Sequence, residues 1–86
     1  MSKKLYVGNL DYSVTTDDLK AHFATAGDIV DAIVITDRAS GRSKGFGFVE
    51  YTKDEDAKKA VEEFGGKDFK GRTIVVNEAR PPREDQ

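Results

Sequence analysis

The chain has 86 residues, a formal net charge of −2 and no cysteine. A chain of this length forms one domain around one core, and without cysteine it has neither disulfides nor thiolate metal sites. No apolar run approaches the roughly 20 residues of a membrane span, and the amino terminus lacks a signal-peptide pattern. We therefore expect a soluble cytoplasmic protein without a membrane partner.

The first predicted strand covers residues 4–9. Because side chains alternate between the two faces of a strand, Leu5 and Val7 are expected to point to the core and Tyr6 to the opposite side. The alternation therefore places one aromatic ring on the outer face of the predicted sheet.

The first predicted helix runs from Thr16 to Ala26. Thr15 and Asp18 have the spacing of a capping box, in which each side chain bonds the backbone N–H of the other residue. Gly27 is expected to end the helix, since glycine readily adopts the left-handed conformation of a helix terminus.

The second predicted strand, residues 29–36, is apolar on both of its faces. Alternation alone therefore does not decide which of its residues face the core. A polar, basic loop over residues 37–43 follows and carries Arg38 and Arg42. The loop is too short for a crossover connection, so the strands on either side of it are expected to pair antiparallel.

The third predicted strand contains the most informative stretch of the chain, KGFGFVEY over residues 44–51. If Val49 and Tyr51 face the core, alternation exposes four other side chains together: Lys44, Phe46, Phe48 and Glu50. The glycines beside the two rings leave the backbone open to close approach. Such a surface fits a flat ligand that carries negative charge.

The second predicted helix begins at a second capping-box pattern, formed by Thr52 and Glu55. Its core-facing stripe has the i, i+3, i+4, i+7 spacing of a helix: Ala57, Ala60, Val61 and Phe64. Gly65 and Gly66 are expected to end this helix. A last strand is predicted from Thr73 to Ala79, with its core-facing residues at Ile74 and Val76.

Two motifs in the chain match signatures of one family. Residues 44–51 match, at every position, the Lys/Arg-Gly-Phe/Tyr-Gly/Ala-Phe-Val-x-Phe/Tyr signature of the RNA-recognition motif, and residues 5–10, LYVGNL, match its second signature. The chain thus resembles this family from about Lys4 to Arg80. We expect one domain over residues 1–80, followed by a disordered tail at 81–86. Within the family it is most similar to small single-motif bacterial proteins and to plant glycine-rich RNA-binding proteins.

The resemblance implies an α+β fold, the ferredoxin-like βαββαβ sandwich, with both helices on one face of a four-stranded antiparallel sheet. The first and third strands are then the central pair, which brings Tyr6 beside Phe46 and Phe48 on the open face. In the second strand the family guides the assignment of faces. Ile29, Ala32 and Val34 are expected inward and Ile33 and Ile35 outward, which requires a bulge after Ile29.

The function implied by the resemblance is binding of single-stranded RNA, or of single-stranded DNA, by base stacking on an exposed aromatic surface. We expect a monomer that is not an enzyme and needs no cofactor, metal or small-molecule substrate. An RNA chaperone or a post-transcriptional regulator is the implied cellular role.

Nine residues are predicted to form the binding surface. Tyr6 and Phe48 are each expected to stack on one base, and Phe46 to pack against the riboses. The expected phosphate contacts come from Lys44, Arg38 and Arg42. Base edges are expected to meet the rim of the surface, formed by Asn77, Glu50 and the backbone near Arg80.

The overall charge is an argument against strong nonspecific binding of nucleic acid, which needs clustered cations. The isoelectric point is near 5.3. However, the carboxylates are concentrated in the two predicted helices, whereas basic residues flank the octamer, and the local field over one face decides binding. Weak binding with a short footprint is therefore expected.

Several alternatives stay open at this point. Exposed rings on neighbouring strands also stabilise a sheet by cross-strand pairing, by roughly 0.2–1 kcal/mol per pair. Arg38 and Arg42 can instead be solvated loop residues. A protein partner or a second copy of the chain could cover the open face through Ile33 and Ile35.

An enzyme is the less favoured alternative. His22 is the only histidine and has no nucleophilic partner in view, and the glycines at 45 and 47 lie inside a strand rather than at a helix start. Acylphosphatases share this topology, but they hold an arginine in the loop after the first strand. The corresponding residues here, 8–11, include no cation.

Overall fold

The computed structural model describes residues 3–79, in which six strands and two helices follow one another along the chain. The predictions made for Arg80 and for the tail at 81–86 lie outside the described residues. Neither helix of the described range has the length and apolarity needed to cross a membrane. The elements are β1 Lys4–Gly8, α1 Thr16–Phe23, β2 Ile29–Thr36, β3 Ser43–Tyr51, α2 Asp54–Phe64, β4 Asp68–Phe69, β5 Arg72–Thr73 and β6 Val75–Glu78.

The main sheet has four strands in the order β2-β3-β1-β6, and every neighbouring pair is antiparallel. β1 and β3 are therefore the central pair, as predicted. Buried residues of both helices join one core cluster with the buried residues of these strands, so the helices pack on the same face of the sheet. The predicted ferredoxin-like α+β sandwich is confirmed.

Strand alternation correctly predicted which side chains form the core. Leu5 and Val7 of β1 and Val49 and Tyr51 of β3 are fully buried. The Tyr51 hydroxyl donates a 2.7 Å hydrogen bond to the carbonyl oxygen of Phe23 in α1. Burial raises the pKa of the Tyr51 phenol, so the buried hydroxyl stays protonated and keeps its donor proton.

The second strand contains the predicted bulge. Its pairing with β3 shifts register between Ile29 and Asp31, and again between Val34 and Thr36. Ala32 and Val34 are buried, whereas Ile33 is 48% exposed. Ile29 packs against the core from a partly buried position. The bulge thus lets residues of both parities reach the core from one strand.

The two helices start differently. The capping box of α1 is confirmed, because Thr15 Oγ1 accepts from the Asp18 N–H and Asp18 Oδ2 accepts from the Thr15 N–H, both at 3.1 Å. The second predicted capping box is wrong, since the N-cap of α2 is Lys53 and has no side-chain bond. Thr52 lies one residue too early, and its N–H donates to the Asp28 carbonyl instead.

The end of α1 also differs from the prediction. The helix ends at Phe23, and the Thr25 hydroxyl donates to the His22 carbonyl oxygen at 2.8 Å. Gly27 is not among the glycines with positive φ. A Cβ added at Gly27 would meet the side chain of Asp56 in α2, so this glycine permits the close approach of the second helix rather than a left-handed cap.

The predicted last strand is divided into two strands that pair with different partners. β5 pairs with β4 in a small separate hairpin, whereas β6 pairs with β1 at the edge of the main sheet. Between them, the Ile74 N–H donates to the Lys67 carbonyl and the Ile74 carbonyl accepts from the Gly66 N–H. Ile74 and Val76 are both buried, as predicted.

His22 connects α1 to the small β4–β5 hairpin. Its imidazole stacks on Phe69 of β4, with ring centroids 4.2 Å apart and an interplanar angle of 18°. It also lies 4.6 Å from the ring of Phe64. The sequence suggested only an ordinary helix residue, because Phe69 lies far along the chain from His22.

We expect the protein to lose stability as the pH falls from 8 to 5.5. Desolvation lowers the pKa of His22 below its ordinary value of 6.5, so the folded state favours the neutral ring. Below about pH 6.5 the unfolded chain takes up this proton first, and stability falls further until the pH has passed the lowered folded-state pKa. The free energy of urea unfolding, measured at several pH values, checks this.

His22→Phe is the matched control, since it keeps an aromatic ring on Phe69 and cannot titrate. His22 is the only histidine and the chain has no cysteine, so the variant removes the one side chain whose reference pKa lies inside this window. The stability of the variant should therefore be nearly flat. Equal pH dependence in the two proteins would contradict the assignment to His22.

Candidate nucleic-acid interface

Three aromatic rings, those of Tyr6, Phe46 and Phe48, lie together on the face of the sheet opposite the helices. We call them the aromatic platform. Tyr6 is paired directly opposite Phe48 across β1 and β3. The ring centroids are 5.8 Å apart for Tyr6 and Phe46, 6.0 Å for Tyr6 and Phe48, and 6.1 Å for Phe46 and Phe48.

The rings of the platform meet at tilted or edge-on angles, between 34° and 89°. Such edge contacts are favourable between aromatic side chains. Because no pair is stacked face to face, the π-faces of the rings are not covered by one another. All three side chains are only partly buried.

Two glycines give the platform its geometry. A Cβ added at Gly8 would lie 2.6 Å from the hydroxyl oxygen of Tyr6 and 2.8 Å from its Cε2 atom, so the Tyr6 ring lies along its own strand over Gly8. A Cβ at Gly47 would meet the backbone oxygen of Ile33 in β2. The glycines of residues 44–51 were predicted to let a ligand approach the backbone closely. At Gly47 it is the backbone of β2 that approaches closely instead.

A row of side chains that passes through the platform crosses the full width of the sheet. Strand register aligns Ile33 of β2 with Phe48, Phe48 with Tyr6, and Tyr6 with Asn77 of β6. Asn77 is exposed. A ligand lying across the rings would therefore meet an apolar side chain at one edge of the sheet and an amide at the other.

One end of the open face is rich in carboxylates. Glu50 pairs with Asp31 on β2 and with Lys4 on β1. The Lys4 ammonium lies over Phe48, 5.2 Å from the ring centroid, in a cation–π arrangement. Sequence reasoning chose Glu50 but missed Asp31 and Lys4. Lys4 could have been predicted, because alternation along β1 places it on the same face as Tyr6. Asp31 could not, because the face on which it lies depends on where the bulge in β2 falls.

The other end of the open face is basic. Lys44 is exposed at the start of β3 and lines a cleft with Phe46 and Tyr6 of the platform. The same cleft is lined by Tyr12 and Arg72, which sequence reasoning did not select. No periodicity signal connects them to the octamer, because they lie in a loop and in the short strand β5.

Arg38 and Arg42 lie outside the sheet. Both are exposed on the loop between β2 and β3. The Asp37 N–H donates to the Arg42 carbonyl oxygen at 2.7 Å, which closes the loop at its base. The two arginines are therefore carried on the loop of the β2–β3 hairpin.

The open face has the features of a surface for flat, anionic ligands. Its rings can stack, its cations lie mainly at one end, and its carboxylates lie at the other. Within residues 3–79 no group of three or more His, Cys, Asp or Glu side chains is arranged to hold a metal ion.

Comparison with known proteins agrees with the two sequence signatures. The family model described as the RNA recognition motif matches residues 5–75. The crystal structure of the RNA binding protein PG1 superimposes with a TM-score of 0.89 and 46% sequence identity, and the match covers 96% of this chain and 100% of that chain.

Curated relatives come from plants and bacteria. The chloroplastic 29 kDa ribonucleoprotein A of Nicotiana sylvestris is 50% identical over 84 residues, which are 95% of this chain but 31% of the relative. RbpD of Nostoc sp. (strain PCC 7120) is 43% identical over 82 residues, which are 95% of this chain and 87% of RbpD. The chain thus spans under a third of the Nicotiana protein and most of RbpD.

Proposed function

The chain belongs to the RNA recognition motif family, and from this premise we propose that it binds single-stranded RNA on the aromatic platform. The observation that carries the proposal is the grouping of Tyr6, Phe46 and Phe48 on the one sheet face that the helices leave uncovered. The family is one of RNA-binding domains and not of enzymes.

Stacking supplies most of the binding energy in this proposal. A base stacked on an aromatic side chain contributes about 1–3 kcal/mol by alanine substitution, whatever the base. Tyr6 and Phe48 each carry one base, and Phe46 packs against the riboses between them. Since every base has a π-face, this part of the surface accepts any sequence.

Charged and polar groups around the platform position the strand and select bases. Lys44 neutralises a phosphate, and Arg38 and Arg42 close over the strand from their loop. Asn77, beside Tyr6, offers both a donor and an acceptor to a base edge. Ionised Glu50 only accepts, so it favours bases that carry an exocyclic amine. The backbone near Arg80, which is predicted to contribute to the same rim, lies outside the described residues.

In the cell we propose that the chain works as a monomer in the cytoplasm, as an RNA chaperone or post-transcriptional regulator. The support is physical: two stacking rings and few phosphate contacts give modest affinity and rapid release. Both roles need binding that is easily reversed. Single-stranded DNA is the alternative ligand. It should bind more weakly than RNA if a group of the protein contacts the 2′-hydroxyl of the ribose.

An NMR titration with short RNA pools of randomised sequence tests the proposal. Amide shifts are expected on β1 and β3, with weaker ones on Asn77 of β6 and on the loop that carries Arg38 and Arg42. Matched DNA pools measure the preference for RNA. Shifts confined to α1 and α2, or no shifts at all, would exclude the open face as the binding surface.

The salt dependence of RNA binding should be shallow. Each phosphate contact on a single strand contributes about 0.7 to the slope of log K against log salt concentration. We expect Lys44→Gln to lower the slope by about 0.7. Lys58→Gln is the matched control, because Lys58 is an exposed cation on α2, on the other side of the sheet. Equal slopes for the two variants would remove Lys44 from the interface.

A further inference from the structure

We propose that the cleft at the Lys44 end of the open face is a subsite for one additional nucleotide of the bound strand. In this subsite Tyr12 stacks on the base, and Arg72 and Lys44 bind the phosphate. The inference rests on the proposed RNA binding and extends it beyond the three rings of the platform.

The cleft is continuous with the platform. Its volume is about 270 Å³, and Tyr6 and Phe46 form part of its wall. Pockets for whole drug-sized ligands start at about 300 Å³, so this space suits one unit of a longer ligand. A strand that stacks on Tyr6 therefore reaches the cleft without leaving the surface.

Arg72 is held in position at the wall of this cleft. Its Nη2 atom donates a 2.8 Å hydrogen bond to Asn9 Oδ1, and Asn9 Nδ2 donates to the Thr73 carbonyl oxygen at 2.6 Å. Asn9 has a φ of 58°, a conformation that asparagine tolerates better than most residues. A guanidinium has five N–H donors, so this one bond orients Arg72 and leaves its fork able to bind phosphate.

Tyr12 is a fourth aromatic side chain beside the platform. It is 73% exposed, more than any other large hydrophobic side chain in the described part of the chain. A Cβ added at Gly45 would lie 3.2 Å from Tyr12 Cε1, so one edge of the ring rests over the Gly45 backbone. The Leu10 N–H donates to the Gly45 carbonyl oxygen at 2.8 Å, which ties this loop to β3. The ring is thus supported and still accessible.

The charges in and around the cleft favour an anion. Lys44 and Arg72 line it with two positive charges. Asp11 lies nearby, and its pKa is lowered mainly by hydrogen bonds from Ser13 and to a smaller extent by Arg72, so it is ionised. Its carboxylate accepts from the Ser13 N–H and hydroxyl. The positive charges of Lys44 and Arg72 outnumber the one negative charge of Asp11, so the net charge around the cleft is positive and favours a phosphate.

The test compares oligoribonucleotides of two to six residues, extended at either the 5′ or the 3′ end. Dissociation constants for the whole chain are measured by NMR titration. For the wild-type protein, one extension beyond the length that covers the platform should raise affinity by roughly fivefold or more, as expected for one stacked base. Tyr12→Ala and Arg72→Gln should each remove most of this gain and leave dinucleotide affinity unchanged.

Tyr12→Phe and Lys58→Gln are the matched controls, since the first keeps the ring and the second removes a cation from α2. Both should retain the gain. The subsite is refuted if Tyr12→Ala and Arg72→Gln keep the gain in affinity from the added nucleotide. It is also refuted if these variants weaken the binding of the dinucleotide as much as that of the longer RNA. In both cases the proposed binding on the platform still stands. If no length of RNA binds the wild-type protein, the proposed function fails, and with it the subsite.

Discussion

Replacing Tyr6, Phe46 and Phe48 together by alanine is expected to abolish measurable RNA binding while the fold persists. Two stacked bases, at about 1–3 kcal/mol each, amount to a loss of about 30-fold in affinity at the least. The rings lie on the sheet face opposite the buried cluster. Their removal should cost the cross-strand pairs, roughly 0.2–1 kcal/mol each, and the cation–π contact between Lys4 and Phe48.

RNA titration and thermal unfolding of the same variant separate the two possible roles of the rings. Tyr6→Phe, combined with no other change, is the control that retains a stacking surface at this position. Unchanged RNA affinity in the triple variant would refute the platform as the binding surface. A variant that fails to fold would instead support the rival explanation, in which the rings mainly stabilise the sheet by pairing across strands.

Tyr51→Ala is expected to give the largest loss of folding stability, about 3–5 kcal/mol, as for other large aromatic side chains truncated in a core. Tyr51 is fully buried, and its hydroxyl bonds the Phe23 carbonyl at the end of α1. The substitution therefore removes packing and a link between β3 and the first helix. A domain of this size has about 5–15 kcal/mol in total, so much of its stability would go.

Tyr51→Phe separates the two contributions, because it keeps the ring and removes only the hydrogen bond. It should cost about 0.5–1.5 kcal/mol, since the Phe23 carbonyl oxygen loses one of its two donors and keeps the Ala26 N–H at 3.2 Å. Urea unfolding measures both variants, and RNA binding is compared per folded molecule. Tyr51→Ala with wild-type stability would show that this ring is not part of the core.

These two experiments examine opposite faces of one strand. Phe48 and Tyr51 lie three residues apart on β3, one on the open face and one in the core. Substitution of Phe48 should weaken binding with little effect on folding, and substitution of Tyr51 should do the reverse. If both substitutions had the same effect on RNA binding and on folding stability, the two faces of β3 would not have the separate roles that its alternation indicates.

An acidic protein that binds RNA is consistent with the distribution of its charges. The first turn of α2 contains three carboxylates, where they also interact favourably with the positive end of the helix dipole. These lie on the helical side of the sheet. The cations at Lys44 and Arg72 line the open face. The net charge is therefore a poor guide to the field over the binding surface.

The division of β1 and β3 into a core face and an open face follows from the order of their amino acids alone. Alternation is a property of the extended backbone, so Leu5 and Tyr6 must point in opposite directions wherever the strand lies. The capping box of α1 was also predictable, because Thr15 and Asp18 are three residues apart and each side chain accepts from the other residue's backbone N–H. Both signals are local in the chain.

Features that depend on partners far along the chain are visible only in the folded protein. The side chain of Asp56 in α2 lies where a Cβ of residue 27 would be, which is why a glycine is needed there. Ile74 forms backbone hydrogen bonds with residues 66 and 67, although a continuous strand was expected at this position. Likewise, the cleft brings Tyr12 and Arg72 to Lys44 from distant segments. Periodicity reports which face a residue occupies within its own element. Which elements meet there depends on packing between them. The platform was predictable because the family resemblance implied that β1 and β3 are neighbours, whereas neither periodicity nor the resemblance brought the residues of the cleft together.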